Sequence, residues 1–208
     1  MTPYITYVIM AITALVSYKA FQDSSLKWRF MFNAYEIKRK KEWYRFFSHG
    51  LIHADWVHLG LNIYVLYLFG GTVETSFVAQ FGLVKGIVNY LLLYIGGLAV
   101  SSFYSYAKHQ DNTHYNALGA SGAVSAVVFA SIALFPMDEL GIILIPFYIP
   151  GVIFGALYLL YSNYMAKKQM DNIGHDAHFW GALFGFVITF VFNPDLLSSF
   201  VNQITNAL

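Results

Sequence analysis

The stretch GASGAVSAVVFASIALF, Gly119 to Phe135, decides how this chain is read. It opens with a serine among small residues, Gly119-Ala120-Ser121-Gly122, and continues as a run apolar enough for a membrane helix until Pro136. A serine hydroxyl keeps its proton at neutral pH, so a nucleophilic serine needs a base within hydrogen-bond reach, and histidine is the usual one. The chain offers one in a matching place: His178, at the start of another apolar run. The remaining sequence reads as a scaffold that brings Ser121 and His178 together inside a lipid bilayer.

Composition sets the solvent. Of 208 residues, 58% are hydrophobic and 11% charged, whereas a soluble domain is about 25% charged. With a mean hydropathy of +0.54, such a chain cannot cover its surface with charge. A net charge of +1 gives no case for nucleic-acid binding, and the absence of cysteine excludes disulfides and thiolate metal sites. The N-terminal stretch has no basic residue ahead of its apolar run and no clear small-residue cleavage site, so it reads as a retained first span.

A bilayer core needs roughly 20 apolar residues per helix. Six spans fit, at about residues 4–18, 51–69, 84–106, 120–135, 140–161 and 177–192, in one membrane domain covering 1–208. Gly70-Gly71 is read as the end of the second, and Pro146 and Pro150 as a kink or shortening of the fifth. All spans are α-helical, because backbone groups in lipid must pair within their own segment. The connection from Lys19 to Ser48 mixes aromatics with Lys38-Arg39-Lys40-Lys41 and reads as a loop lying in the membrane interface.

Loops alternate sides, so spans two, four and six all start at one face, and Ser121 and His178 lie at similar depth below it. Gly122, Ala126 and Ala130 recur every fourth residue, and Gly181 and Gly185 form a G-x-x-x-G pair. Such stripes let helix backbones approach closely. His178 shares a face with Gly181 and Gly185, so a meeting of the stripes carries it towards Ser121. On span two, His58 and Asn62 share a helical face. With the backbone N–H of Ser121 they are placed to donate to the oxyanion of an acyl transfer. The same residues also fit a plainer reading, as helix-packing glycines, a buried structural histidine and interhelical hydrogen-bonding glue. Their coincidence at one depth favours catalysis. His53 faces away from Asn62 and reads as a structural hydrogen-bonding group. His49, His109, His114 and His175, in loops or at span ends, read as non-catalytic. Asp176 is too near His178 in a helix to face it, so no triad is assigned.

These features together resemble the rhomboid family of intramembrane serine proteases, in its minimal six-helix bacterial form. The matching residues are Gly119-Ala120-Ser121-Gly122, Ala177-His178 with Gly181 and Gly185, His58 with Asn62, Trp43-Tyr44-Arg45 followed by Phe46-Phe47, and Gly70-Gly71 followed by Glu74. The resemblance implies an all-α integral membrane bundle of six transmembrane helices and a Ser121–His178 dyad, with His58 and Asn62 at the oxyanion. Gly119, Gly122, Gly181, Gly185 and Arg45 would act as motif support. It implies no cofactor and no metal. The partners would be transmembrane protein substrates and the lipid bilayer, with no nucleic acid. It also implies a gate at about residues 149–161, a cap at 162–174, and residence in a bacterial cytoplasmic (inner) membrane.

Two features depart from the family pattern. Ser125 stands where some relatives carry an aromatic four residues after the nucleophile. In addition, 11 of the 12 Lys and Arg residues, all but Lys85, fall in the loops on the serine side. The positive-inside rule puts that side in the cytoplasm, whereas the family orientation, retained here, opens outward. Three alternatives compete: a catalytically silent rhomboid-like protein that binds transmembrane clients, a histidine metalloenzyme, and a channel or transporter. Intact Ser121 and His178 argue against the first. No H-E-x-x-H pattern supports the second, and neither paired intramembrane charges nor a repeat supports the third.

Overall fold

A computed structural model describes residue 2 and residues 4–141, 148–168 and 173–207. The described chain is mostly helical. In order it runs through α1 (Tyr4–Gln22), α2 (Ser24–Phe30), α3 (Ala34–Lys40), α4 (Arg45–Ser48) and a 3-10 turn (His49–Leu51). These are followed by α5 (Trp56–Phe81), α6 (Leu83–His109), α7 (Ser121–Leu134), β1 (Glu139–Gly141), β2 (Tyr148–Pro150), α8 (Gly151–Lys168), α9 (His175–Phe192) and α10 (Asp195–Thr205). Among the described residues four helices, α1, α5, α6 and α9, are long and apolar enough to cross a membrane. The shorter α7 stands at the centre, with every residue from Gly122 to Leu134 buried. The outer helices turn large apolar side chains such as Leu15, Leu68, Val84, Phe103 and Val191 outward, as lipid requires.

The second helix does not stop at Gly70-Gly71. It starts at Trp56, where the Asp55 side chain accepts the His58 N–H at 2.8 Å, and runs to Phe81 before Gly82 turns the chain with φ 79°. Gly70 serves packing: a Cβ there would lie 2.7 Å from Thr6 Cγ2 and 2.8 Å from the Tyr90 hydroxyl. The helical cost of glycine, about 1 kcal/mol, is offset by the close approach of α1 and α6. One turn on, the buried Glu74 carboxylate accepts Ile5 N–H at 3.0 Å, Thr6 N–H at 2.8 Å and Thr6 Oγ1–H at 2.7 Å. It satisfies the orphan donors of the α1 N-terminus from a neighbouring helix.

The fifth span is also shifted. The predicted 140–161 begins as an antiparallel strand pair, β1 with β2, pairing Glu139 with Pro150 and Gly141 with Tyr148; residues 142–147, Pro146 among them, lie outside the described residues. The residue before a proline avoids the α region, so Ile149 stays extended and the helix starts only at Gly151. Its first N–H groups find carbonyls in the turn after α7, Gly151 to Asp138 and Val152 to Pro136, both at 2.8 Å. The helix then runs through much of the predicted cap, to Lys168; residues 169–172 lie outside the described residues. The bundle is therefore not purely α.

Two further elements exceed the sequence reading. The first loop is built of three short helices, two of them capped: Asp23 accepts Ser25 and Leu26 N–H, and Asn33 accepts Glu36 N–H. After Pro194 comes an unforeseen amphipathic helix, α10. Its Phe200 packs edge-on against Phe186 and Phe190 of α9, and Gln203 Nε2 donates to the Leu134 carbonyl at the end of α7.

Candidate active site

Ser121 is the first residue of α7, and the chain leading to it is fastened from the first loop. Phe32 and Ala117 exchange backbone hydrogen bonds at 2.9 and 3.1 Å, and Asn33 Nδ2 donates to Asn116 Oδ1 at 3.0 Å. Closer in, Gly119 N–H donates to the His49 carbonyl at 2.9 Å while the His49 ring meets the Gly119 carbonyl through Nδ1 at 3.2 Å. Next, Ala120 N–H donates to His53 Nε2 at 3.3 Å. Arg45, itself buried, holds the loop's frame. Its guanidinium donates to the carbonyls of Trp28 (2.9 Å) and Met31 (2.6 Å) and to Glu42 (2.6 Å).

These contacts fix both histidine tautomers. His53 accepts through Nε2, so Nδ1 carries the proton and donates to Ser17 Oγ at 2.9 Å; Ser17 in turn donates to the Leu51 carbonyl. His49 donates from Nδ1 to a carbonyl, so its Nε2 accepts from Ser102 Oγ at 2.9 Å. Both lie outside the membrane-spanning helices and are held neutral: burial lowers His49 to about 4 and His53 to about 3. The structural role read for His53 matches these bonds. The parallel role of His49 escaped sequence reasoning, and its only signal was its place four residues before His53.

Gly119 has φ 114°, a conformation that L side chains rarely adopt, and a Cβ there would lie 2.5 Å from His58 Cε1. The α5 helix thus lays the His58 ring against the backbone two residues before Ser121. The same ring sits edge-on to His53, centroids 4.9 Å apart. Asn62, one turn along α5, is buried and donates from Nδ2 to the His58 carbonyl at 2.9 Å.

The small-residue stripes of α7 and α9 meet. A Cβ on Gly181 would strike the Gly122 carbonyl, and one on Gly185 would strike the Ala126 carbonyl. Both pairs advance by four residues in the same direction, so the helices pack in parallel with backbones in contact. A Cβ at Gly122 would also stand 3.5 Å from the Ala177 carbonyl. Gly122 adjoins Ser121 and Ala177 adjoins His178, so the crossing brings these two half-buried residues to one end of the helix pair. His178 N–H donates to the Gly174 carbonyl, and its ring stands edge-on to His175, centroids 6.0 Å apart. Asp176 is engaged elsewhere, accepting from Ala177 N–H at 2.8 Å and Ser105 Oγ at 3.2 Å. Ser125 meets the Tyr158 hydroxyl of α8 at 2.9 Å, so the aromatic near this position comes from a different helix. His109 stacks on Tyr115 away from this cluster. Among the described residues no three His, Asp or Glu side chains converge as a metal site needs.

Comparison with known proteins agrees with this architecture. Residues 40–194 match the family model described as the rhomboid domain. Rhomboid protease GlpG of Haemophilus influenzae is 26% identical over 192 residues, 90% of each chain. The human presenilin-associated rhomboid-like protein, mitochondrial, is 27% identical over 143 residues, 64% of this chain and 34% of that protein. RHOMBOID-like protein 12, mitochondrial, of Arabidopsis thaliana is 30% identical over 138 residues, 62% of this chain and 40% of that protein. The chain therefore spans only about a third of the length of the mitochondrial presenilin-associated relatives it matches. With residues 40–194 inside that model and helices long enough to cross a bilayer, this chain is an integral membrane protein of the rhomboid family.

Proposed function

We propose that the protein is an intramembrane serine endopeptidase that cuts membrane proteins in or near transmembrane segments, with Ser121 as nucleophile and His178 as its base. The observation that carries this is the backbone contact of Gly122 with Gly181 and of Ala126 with Gly185. In this reading α1, α5, α6, α7, α8 and α9 form six spans of a single domain over 1–208. The match to a GlpG protease along 90% of both chains supports the activity and a bacterial cytoplasmic membrane as its place.

Ser121 Oγ attacks the scissile carbonyl as His178 takes its proton. The resulting oxyanion faces His58, Asn62 and the first-turn N–H groups of α7, which have no intrahelical partner and carry the positive end of the helix dipole. His178 returns the proton to the leaving amine, and water, activated by the same imidazole, releases the acyl-enzyme. Depth fits this chemistry. The 14 residues of α7 rise only ~21 Å against a hydrocarbon core of about 30 Å, which sinks Ser121 below the face where α6 ends and makes a wet recess there necessary.

The test is cleavage of a model single-pass membrane protein by the purified chain in liposomes, with Ser121→Ala and His178→Ala beside it. Cutting by the wild type that both changes abolish is expected; cutting that survives Ser121→Ala overturns the mechanism. No cutting by the wild type, with Ser121 inert to a fluorophosphonate, assigns the chain instead to client binding without proteolysis.

A further inference from the structure

Away from the Ser121 cluster, an apolar groove of about 670 Å³ opens between the first loop, α6 and α9. Its walls are Trp43, Phe46 and Phe47 on one side and Phe103, Tyr104 and Trp180 on the other. Its floor follows α6 from Ala99 to Ala107, a length of ~12 Å at the helical rise. Phe103, Trp43 and Phe47 are all exposed within it. Tyr104 and Trp180, centroids 6.0 Å apart, form the end wall, and beyond them a small polar recess shares both rings and adds Asn163, Lys167 and Asp176.

Charge gathers at this end. Lys108, in the last turn of α6, holds its ammonium 5.9 Å from the Tyr104 ring centroid, and Lys167 lines the recess on the other side. Both side chains are exposed, and among the described residues neither lies within ion-pair distance of a carboxylate. Asp176, the carboxylate in the recess, is already bonded to Ala177 N–H and Ser105. The surrounding face carries 11 of the 12 basic residues but only seven of the 11 acidic ones.

We propose that the groove is a binding site for one anionic phospholipid, with an acyl chain along Ala99–Ala107 between the aromatic walls and the phosphate between Lys108 and Lys167. An apolar trough ending at a tryptophan–tyrosine pair and two cations without a carboxylate partner among the described residues reproduces the layering of such a lipid: hydrocarbon, interface, anion. The inference is independent of catalysis.

Two of the four tryptophans, Trp43 and Trp180, wall the groove, so intrinsic fluorescence reads its occupancy. The full chain is reconstituted in phosphatidylcholine vesicles containing a minor fraction of either brominated phosphatidylglycerol or brominated phosphatidylcholine. Quenching by the brominated phosphatidylglycerol is expected to exceed that by the phosphatidylcholine at least threefold. K108Q/K167Q should remove that preference and Ala99→Leu should weaken it, while Arg39→Gln with Lys40→Gln, away from the groove, should leave it intact. Equal quenching by the two lipids overturns the site. So does a preference that survives K108Q/K167Q, or one that the distant pair erases equally and thereby marks as diffuse surface charge. The chain contains no cysteine, so Phe103→Cys adds a single reporter; its efficient disulfide cross-linking between copies in the same vesicles would assign the groove to self-association and overturn the lipid reading.

Discussion

The backbone carbonyl of Gly122 occupies the space a side chain at Gly181 would need. Two helices whose backbones touch leave no room for adjustment, because the obstacle is a carbonyl and not the end of a flexible side chain. Gly181→Ala must therefore push α9 away from α7. Overpacking of this kind costs about 1–3 kcal/mol. We expect a fall in melting temperature in detergent and, as His178 retreats, a loss of fluorophosphonate labelling at Ser121 larger than the loss of folded protein. Gly60→Ala, where a Cβ meets nothing within 4 Å, is the matched control: it should leave the labelling intact and, by removing a helix-interior glycine, raise the melting temperature slightly.

Acid should loosen the approach to Ser121 before it unfolds the bundle. His49 and His53 are buried neutral, with folded values of about 4 and 3 against an ordinary 6.5. Between those limits the unfolded chain binds more protons than the folded one, so stability rises with pH there. Their contribution is complete above about 6.5 and is lost progressively as pH falls towards the folded values. A proton on His53 Nε2 would set two donors face to face at Ala120. Thermal melts from pH 7.5 down to 4 should show falling stability below about 6.5, and His53→Asn should flatten that limb while lowering stability at pH 7.5.

Arg45 should prove structural. Its three bonds hold two carbonyls and Glu42 in a buried setting, and bonds to a charged donor contribute about 1.5–3 kcal/mol each in mutational series. Arg45→Ala is expected to destabilise by roughly 2–4 kcal/mol and to expose Lys38–Lys41 to trypsin in the folded protein. Arg45→Lys, a point charge without the planar fork, should recover only part of this protection.

Glu74 should matter through α1 and not through the active-site cluster. Glu74→Gln keeps the shape but gives up the charge opposite three donors, at a cost of about 1–2 kcal/mol. The melting temperature should fall while the rate of Ser121 labelling per folded molecule stays unchanged.

Legibility in the sequence followed the physics of each signal. Hydrophobic runs and G-x-x-x-G spacing are local, so the helices around Ser121 and His178 and the meeting of their stripes were readable. Gly70 looked like a stop because glycine is a poor helix former; its reason, contact with Thr6 and Tyr90, lies on two other helices. The sequence from Ile142 to Ile149 is as apolar as a span, and only Pro146 and Pro150 argue locally against a helix there. The anchoring role of His49, and the partners of both His49 and His53, were hidden for the opposite reason: loop histidines carry no periodicity, and Gly119, Ala120 and Ser102 lie 53 to 70 residues away in sequence. In the short helix α10 the apolar Leu196, Leu197, Phe200, Val201 and Ile204 alternate along the sequence with serine, asparagine and glutamine of the opposite face, so there is no long apolar run to notice.

The foot of α8 is tied into the turn that ends α7, through Gly151 to Asp138 and Val152 to Pro136, and a second tie, Tyr158 to Ser125, follows two turns up. A rod held that way is a lever with its fulcrum at the far side of the membrane from Ser121. Over 18 residues it is ~27 Å long at the helical rise. Once the Tyr158 tie parts, a tilt of about 10° at the foot sweeps the Lys168 end through roughly 5 Å, so small adjustments beside Pro136 become large displacements at the rim above the serine.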